Sequence, residues 1–230
     1  IGGDGAIAMR EPDLDNVRET LTWALANDAQ TAVAAGPAME LVLTYARRGE
    51  LLNVWEATAK LITDTMPASL RADWAAGCAR FWTAETPARA GRWARMAIDL
   101  YQRIGDPIGK YQGLASLCIS ETSLASGLQH QLLQELTALE DSNWPPWVRY
   151  RGASAEFFLG ITSCNFASAK MSLQRGVVLA ARAGSSSAVL QTMGNLADTA
   201  LAAGDVDEAV RTGIEVERQA SNSIRDRHSL

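Results

Sequence analysis

The sequence predicts an all-α fold: a right-handed solenoid of stacked α-hairpins with about eleven helices. Four observations carry this. The stretch Gly204-Asp205-Val206-Asp207-Glu208-Ala209 has the chemistry of a hairpin: a glycine ends one helix, an aspartate caps the next, and a small alanine lets the two cross closely. Comparable marks fall at Cys164-Asn165, Gly127, Glu85-Thr86 and Gly49, at intervals of 40, 37, 42 and 36 residues (204 − 164, 164 − 127, 127 − 85, 85 − 49). That is the period of a helical-hairpin array. Apolar residues recur at helical spacing in Leu14, Val17, Leu21 and Leu25, in Trp93, Met96, Ala97, Leu100 and Ile104, and in Met193, Ala197, Ala200 and Leu201, with no sustained alternation of period two. Finally, Pro67, Pro87 and Pro107 lie 20 residues apart (87 − 67 and 107 − 87), half of the repeat.

In chain order, helices are expected over 12–27, 30–48, 50–65, 68–84, 87–104, 107–126, 128–140, 145–163, 166–183, 185–203 and 206–222. Asp13 and Asp15 open the first, where carboxylates favour the helix dipole. Gly36-Pro37 sits inside the second and should kink or split it. Thr86-Pro87 and Asp106-Pro107 each place a capping side chain before a residue suited to the first helical position. A proline there loses nothing, because its missing N–H would have had no helical partner. Asn143-Trp144-Pro145-Pro146 marks a further start. Helices of this length joined by two-residue turns must run antiparallel to their neighbours. Residues 1–11 are Gly-rich and expected to be disordered, 12–222 to form one helical-repeat domain with a mild joint near 141–143, and 223–230 to be a frayed tail.

Hydrophobic residues make up 47% of the chain, enough for a continuous core, and the net charge of −5 argues against a nucleic-acid surface formed by the whole domain. Cys78, Cys118 and Cys164 are odd in number, far apart and in apolar contexts, so they read as buried thiols of a reducing, cytoplasmic compartment. No stretch reaches the roughly 18 apolar residues of a membrane span. The N-terminus lacks a Met start and a signal-peptide plan, and both ends read as cut, so the chain is expected to belong to a larger protein.

The last hairpin resembles a tetratricopeptide repeat. Leu196-Ala197 lies 12 residues before Ala209 (209 − 197), matching the small residues of a helix crossing, while Gly213 and Val216 depart from the aromatic and alanine usual at their places. More widely, the layout is similar to the C-terminal helical region of bacterial regulators of the signal-transduction ATPase class with numerous domains (STAND), which includes the maltose-regulon activator and winged-helix relatives. Glu11-Pro12-Asp13-Leu14-Asp15-Asn16-Val17-Arg18 followed by Leu21-Thr22-Trp23-Ala24 carries this resemblance, with an echo in Ala97-Ile98-Asp99-Leu100-Tyr101 and Ile104-Gly105-Asp106-Pro107. It implies an upstream nucleotide switch and a DNA-binding domain, with this segment receiving the signal.

No phosphate-binding Gly-x-x-x-x-Gly-Lys-Ser/Thr loop occurs, so any ATPase module would lie upstream. His130 and His228 are isolated, and no metal site, cofactor or nucleophile motif is expected. Arg89, Arg92 and Arg95 share a helix face, with Asp99 four residues after Arg95, and read as a solvated, partly paired surface. The seven tryptophans (23, 55, 74, 82, 93, 144 and 147) read mainly as packing between Ala-lined helices, with an aromatic ligand groove as the alternative. In tetratricopeptide-like arrays the first helix of each hairpin lines the concave face. That geometry nominates Arg151, Asp198, Gln191, Phe158, Glu121 and Trp82, with Ser154, Ile161, Gly194, Leu201 and Leu124 alongside. The expected function is non-catalytic: binding of a protein, peptide or small-molecule inducer on that face, without direct contact to nucleic acid or membrane, as the sensor of a transcriptional regulator. The alternative is a general protein-interaction scaffold with no transcriptional role.

Overall fold

The structure is a computed structural model of the 230-residue chain, and it describes residues 14–40, 48–83 and 85–228. The described residues form eleven helices and no strand: α1 Leu14–Asn27, α2 Ala29–Glu40, α3 Arg48–Ala59, α4 Ala68–Trp82, α5 Pro87–Ile104, α6 Pro107–Ser123, α7 Gln129–Leu139, α8 Pro146–Thr162, α9 Phe166–Arg182, α10 Ser186–Ala202 and α11 Val206–His228. The stretch 1–11 and the Asp13 cap lie outside the described residues, as do residues 41–48 of the expected second helix save Arg48, which opens α3. Pro37 lies within α2, which continues through it.

Turn chemistry sets the helix ends. Gly105, Cys164, Gly184 and Gly204 take positive φ of 72°, 54°, 69° and 84°, the left-handed conformation that stops a helix and turns its last carbonyls to local donors. The residue that follows each of them serves both helices. Asp106 donates its N–H to Tyr101 O at 2.9 Å and accepts from Gly109 N–H at 2.9 Å. Asn165 does the same with Gly160 O (2.8 Å) and Ser168 N–H (3.1 Å). Ser185 uses Ala180 O (3.1 Å) and Ala188 N–H (3.3 Å), and Asp205 uses Ala200 O (2.9 Å) and Glu208 N–H (3.1 Å). Each thus satisfies an orphan carbonyl behind it and an orphan amide ahead. The last three marks are 20 residues apart (184 − 164 and 204 − 184), so from α8 to α10 the mark recurs at each helix end and not only once per hairpin.

Two turn assignments are corrected. Gly49 lies in the first turn of α3 and marks no turn. Thr86 makes no side-chain cap; its carbonyl oxygen accepts from Ala90 N–H at 3.0 Å while Pro87 starts α5. A third correction concerns the thiols: Cys78 and Cys118 are buried, but Cys164 is exposed, because its left-handed turn position holds it outside the packed helices.

The chain divides between Leu139 and Glu140 into two compact units, beside the Asp141-Ser142-Asn143 stretch. In the first unit α4 packs on α5, α5 on α6 and α6 on α7, and α2 packs on α4 and α4 on α6. Its core is aromatic: Trp74 is fully buried, edge-to-face with Trp55 (5.8 Å between centroids) and with Trp93 (4.9 Å). Its indole N–H donates to Thr58 Oγ1 at 2.8 Å. Gly36 and Gly77 make room for Trp55, since a Cβ on either would stand 2.6 Å from its ring. Arg80 pairs with Glu40, and Tyr101 donates its hydroxyl to Asp73 at 2.7 Å. Burial and the Asp73 carboxylate raise the Tyr101 pKa well above its ordinary value.

The second unit packs α8 on α9, α9 on α10 and α10 on α11. Small residues bring the helices close: a Cβ on Gly160 would stand 2.8 Å from the backbone nitrogen of Ala169. Phe157, Ala169 and Leu173 form a core cluster joined by Ile161 and Leu196. A charge network ties the start of the unit down. Glu140 receives Arg149 at 2.9 Å and Arg175 at 2.5 Å, and Arg175 also reaches Glu156 at 2.8 Å.

Candidate functional site

The arrangement of α8, α9 and α10 gathers four of the six nominated residues. Tight turns make α8 and α9 antiparallel, and likewise α9 and α10, so α8 and α10 run parallel. They meet where the Tyr150 hydroxyl stands 3.0 Å from Thr192 Oγ1. Thr192 donates its own proton to Ala188 O at 2.7 Å, so Tyr150 is the donor to Thr192. Phe157 on α8 and Thr199 on α10 are buried on the same two inward faces, seven residues further along (157 − 150, 199 − 192).

Helical periodicity then fixes the neighbours. Each residue advances about 100° around a helix. Arg151 and Phe158 follow the inward residues Tyr150 and Phe157 by one, and Gln191 and Asp198 precede Thr192 and Thr199 by one. On two parallel helices facing each other, a step forward on one and a step back on the other point to the same side of the seam. Arg151, Phe158, Gln191 and Asp198 therefore share one side. Trp147, one turn before Arg151, joins them.

Helix α9 covers the opposite side. A Cβ on Gly176 would lie 3.2 Å from Thr192 and 3.7 Å from the Tyr150 ring, so the bare glycine sits directly under the seam contact. The upper side is open: Phe158 is 40% exposed, Trp147 is 37% exposed, Gln191 and Asp198 are exposed, and Arg151 is half-buried. Two levels result. Arg151 stands with Gln191, and seven residues on, about 10 Å along the axis, Phe158 stands with Asp198 (158 − 151, 198 − 191).

The other two nominated residues lie in the first unit, and each is buried beneath an arginine of α5. The Arg89 guanidinium stacks 3.9 Å above the Trp82 ring, which also meets Phe81 edge-to-face. Glu121 is buried on α6 and paired with Arg95. Asp99 accordingly pairs with Arg103, at 2.6 Å, and not with Arg95. Leu124 and Leu201 are exposed, while Ser154, Ile161 and Gly194 are half-buried.

The residues that build the seam, Tyr150, Thr192 and Gly176, were not singled out in the sequence. Their only sequence signal is adjacency to the nominated stripes. Asn195, half-buried beside Gln191 and Asp198 on α10, was also passed over.

Chemically, the open face offers an aromatic surface, a cation, a carboxylate and the amides of Gln191 and Asn195. Nothing on it pairs a nucleophile with a base. Among the described residues no group of three His, Cys, Asp or Glu side chains could hold a metal ion, and no helix is long and apolar enough to cross a membrane. No protein-family model matches the chain, and no curated protein matches it.

Proposed function

We propose that this chain is a non-catalytic binding module whose ligand or partner occupies the open side of the α8–α10 seam. The observation that carries the reading is the grouping of Arg151, Phe158, Gln191 and Asp198 on one accessible side of a contact that α9 closes from the other. Rigid helices hold these side chains, as a preorganised surface requires. A tetratricopeptide-like array is supported by two further facts. Within each unit most consecutive helices pack on each other, and alternate helices also touch: Arg18 of α1 reaches Glu50 of α3 at 2.6 Å, and Lys170 of α9 reaches Glu208 of α11 at 2.5 Å.

On this reading, and on the resemblance carried by Asp15-Asn16-Val17-Arg18 and Trp23-Ala24, the module is the sensor of a larger cytoplasmic transcriptional regulator of the STAND class. Occupancy of the face would favour one arrangement of an attached nucleotide switch, by no more than the ligand's differential affinity for the two arrangements. The test is a thermal-shift screen of the purified chain against peptides and small metabolites. A ligand should raise the unfolding midpoint, and Arg151→Glu or Asp198→Arg should each abolish that rise while the circular dichroism stays helical. Ligands that bind equally well to both variants overturn the assignment of the face.

A further inference from the structure

We propose that the Phe158–Asp198 level of the seam takes a basic side chain, an arginine or lysine on an extended segment of a partner polypeptide. The inference rests on the reading of this face as the binding surface and names what it recognises. Phe158 and Asp198 stand opposite each other at one level of the seam, both exposed. An aromatic face attracts a cation, and a carboxylate beside it accepts charge-assisted hydrogen bonds. Asp198 is in no ion pair among the described residues, and α10 carries no lysine or arginine that could satisfy it. The nearest turns of α8 are no better supplied: Arg149 is held by Glu140 at 2.9 Å, and Arg151 lies two turns away at the Gln191 level.

Arg151 also sets the direction. Its level offers a cation and the Gln191 amide but no carboxylate, so the basic group is seated at the second. The amides of Gln191 and Asn195 lie along α10 toward Arg151, where the main-chain N–H and C=O groups of an extended segment can pair with them. The net charge of −5 favours approach of a basic partner from a distance. Phe158 and Trp147, eleven residues apart on one face of α8 (158 − 147), give apolar flanks to a segment several residues long. A small cation would leave Trp147 and Gln191 unused.

The experiment is an array of octapeptides varied at each position, probed with the purified chain, followed by titration of the best peptide into isotope-labelled protein. Bound peptides are expected to share an arginine or lysine at one position and to shift the Phe158 ring resonances. Asp198→Asn should weaken them about tenfold, in line with one lost charge-assisted contact, and Asp198→Glu should restore most of the binding. Peptides that bind with no basic residue in common, or equally to Asp198→Asn, overturn this inference and leave the binding face standing. N-acetyl-argininamide binding as tightly as the best peptide overturns the polypeptide as occupant. Binding by no peptide overturns the inference, and the metabolite screen above then decides the face independently.

Discussion

The two units solve the same packing problem with different side chains, and the difference separates support from recognition. Helices α4 to α6 close over Trp74, Trp55 and Trp93, and arginines cover the two nominated residues there: Arg89 lies on Trp82, and Arg95 on Glu121. Helices α8 to α10 approach through Gly160, Ala169 and Gly176 instead, which leaves Phe158, Gln191 and Asp198 exposed above a sealed floor. Large rings between helices stabilise a core but fill the space a ligand would need. Small residues bring backbones together and let larger side chains stand outward as a reading surface.

The largest effect that can break this comparison is Trp74→Ala. Removing a fully buried indole from between two others should cost about 3–5 kcal/mol in chemical denaturation. Hydrogen exchange should accelerate in α4 and α5 and stay protected in α8 to α10. Equal acceleration in both units would mean that they do not divide the labour as described. Arg95→Met is next. Glu121 would be left buried with its cation gone, at a cost of about 1–3 kcal/mol. Adding Glu121→Gln, which removes the buried charge, should recover part of that loss in the same denaturation experiment. A loss unchanged in the double variant would show that Arg95 acts by packing alone. The smallest effect sharpens the comparison without a mutation. A thiol reagent should label Cys164 of the second unit in the folded chain and spare Cys78, whose pKa is raised by burial. Labelling of Cys78 at the same rate would reveal opening of the first unit's core.

The helices were legible because their signals are local. Asp106-Pro107 and Gly204-Asp205 act through bonds to residues within one or two turns, and the apolar stripes need only the period of a helix. Gly49 failed as a turn mark because a glycine is tolerated in the first turn of a helix as well as after its last, and composition alone does not separate the two. The stripes of Arg151 and Phe158 and of Gln191 and Asp198 follow from spacing. Which side of them stays open does not: that depends on α9 bringing Gly176 under Tyr150 and Thr192, from 26 residues along the chain in one case (176 − 150) and 16 in the other (192 − 176). The cover over Trp82 and Glu121 was hidden for the same reason. Arg89 and Arg95 read as a solvated face until α5 lay across α4 and α6.

The four joint residues, Asp106, Asn165, Ser185 and Asp205, hold the helix behind with a main-chain donor and the helix ahead with a side-chain acceptor. Adding or deleting one residue at such a joint breaks both bonds and rotates everything beyond it by about 100°. Three of the joints bracket α9, α10 and the start of α11, so the phase between the Arg151–Phe158 and Gln191–Asp198 stripes cannot drift by small steps. A tag or sensor inserted in the segment before α8 lies outside all four joints and would leave the recognition register intact.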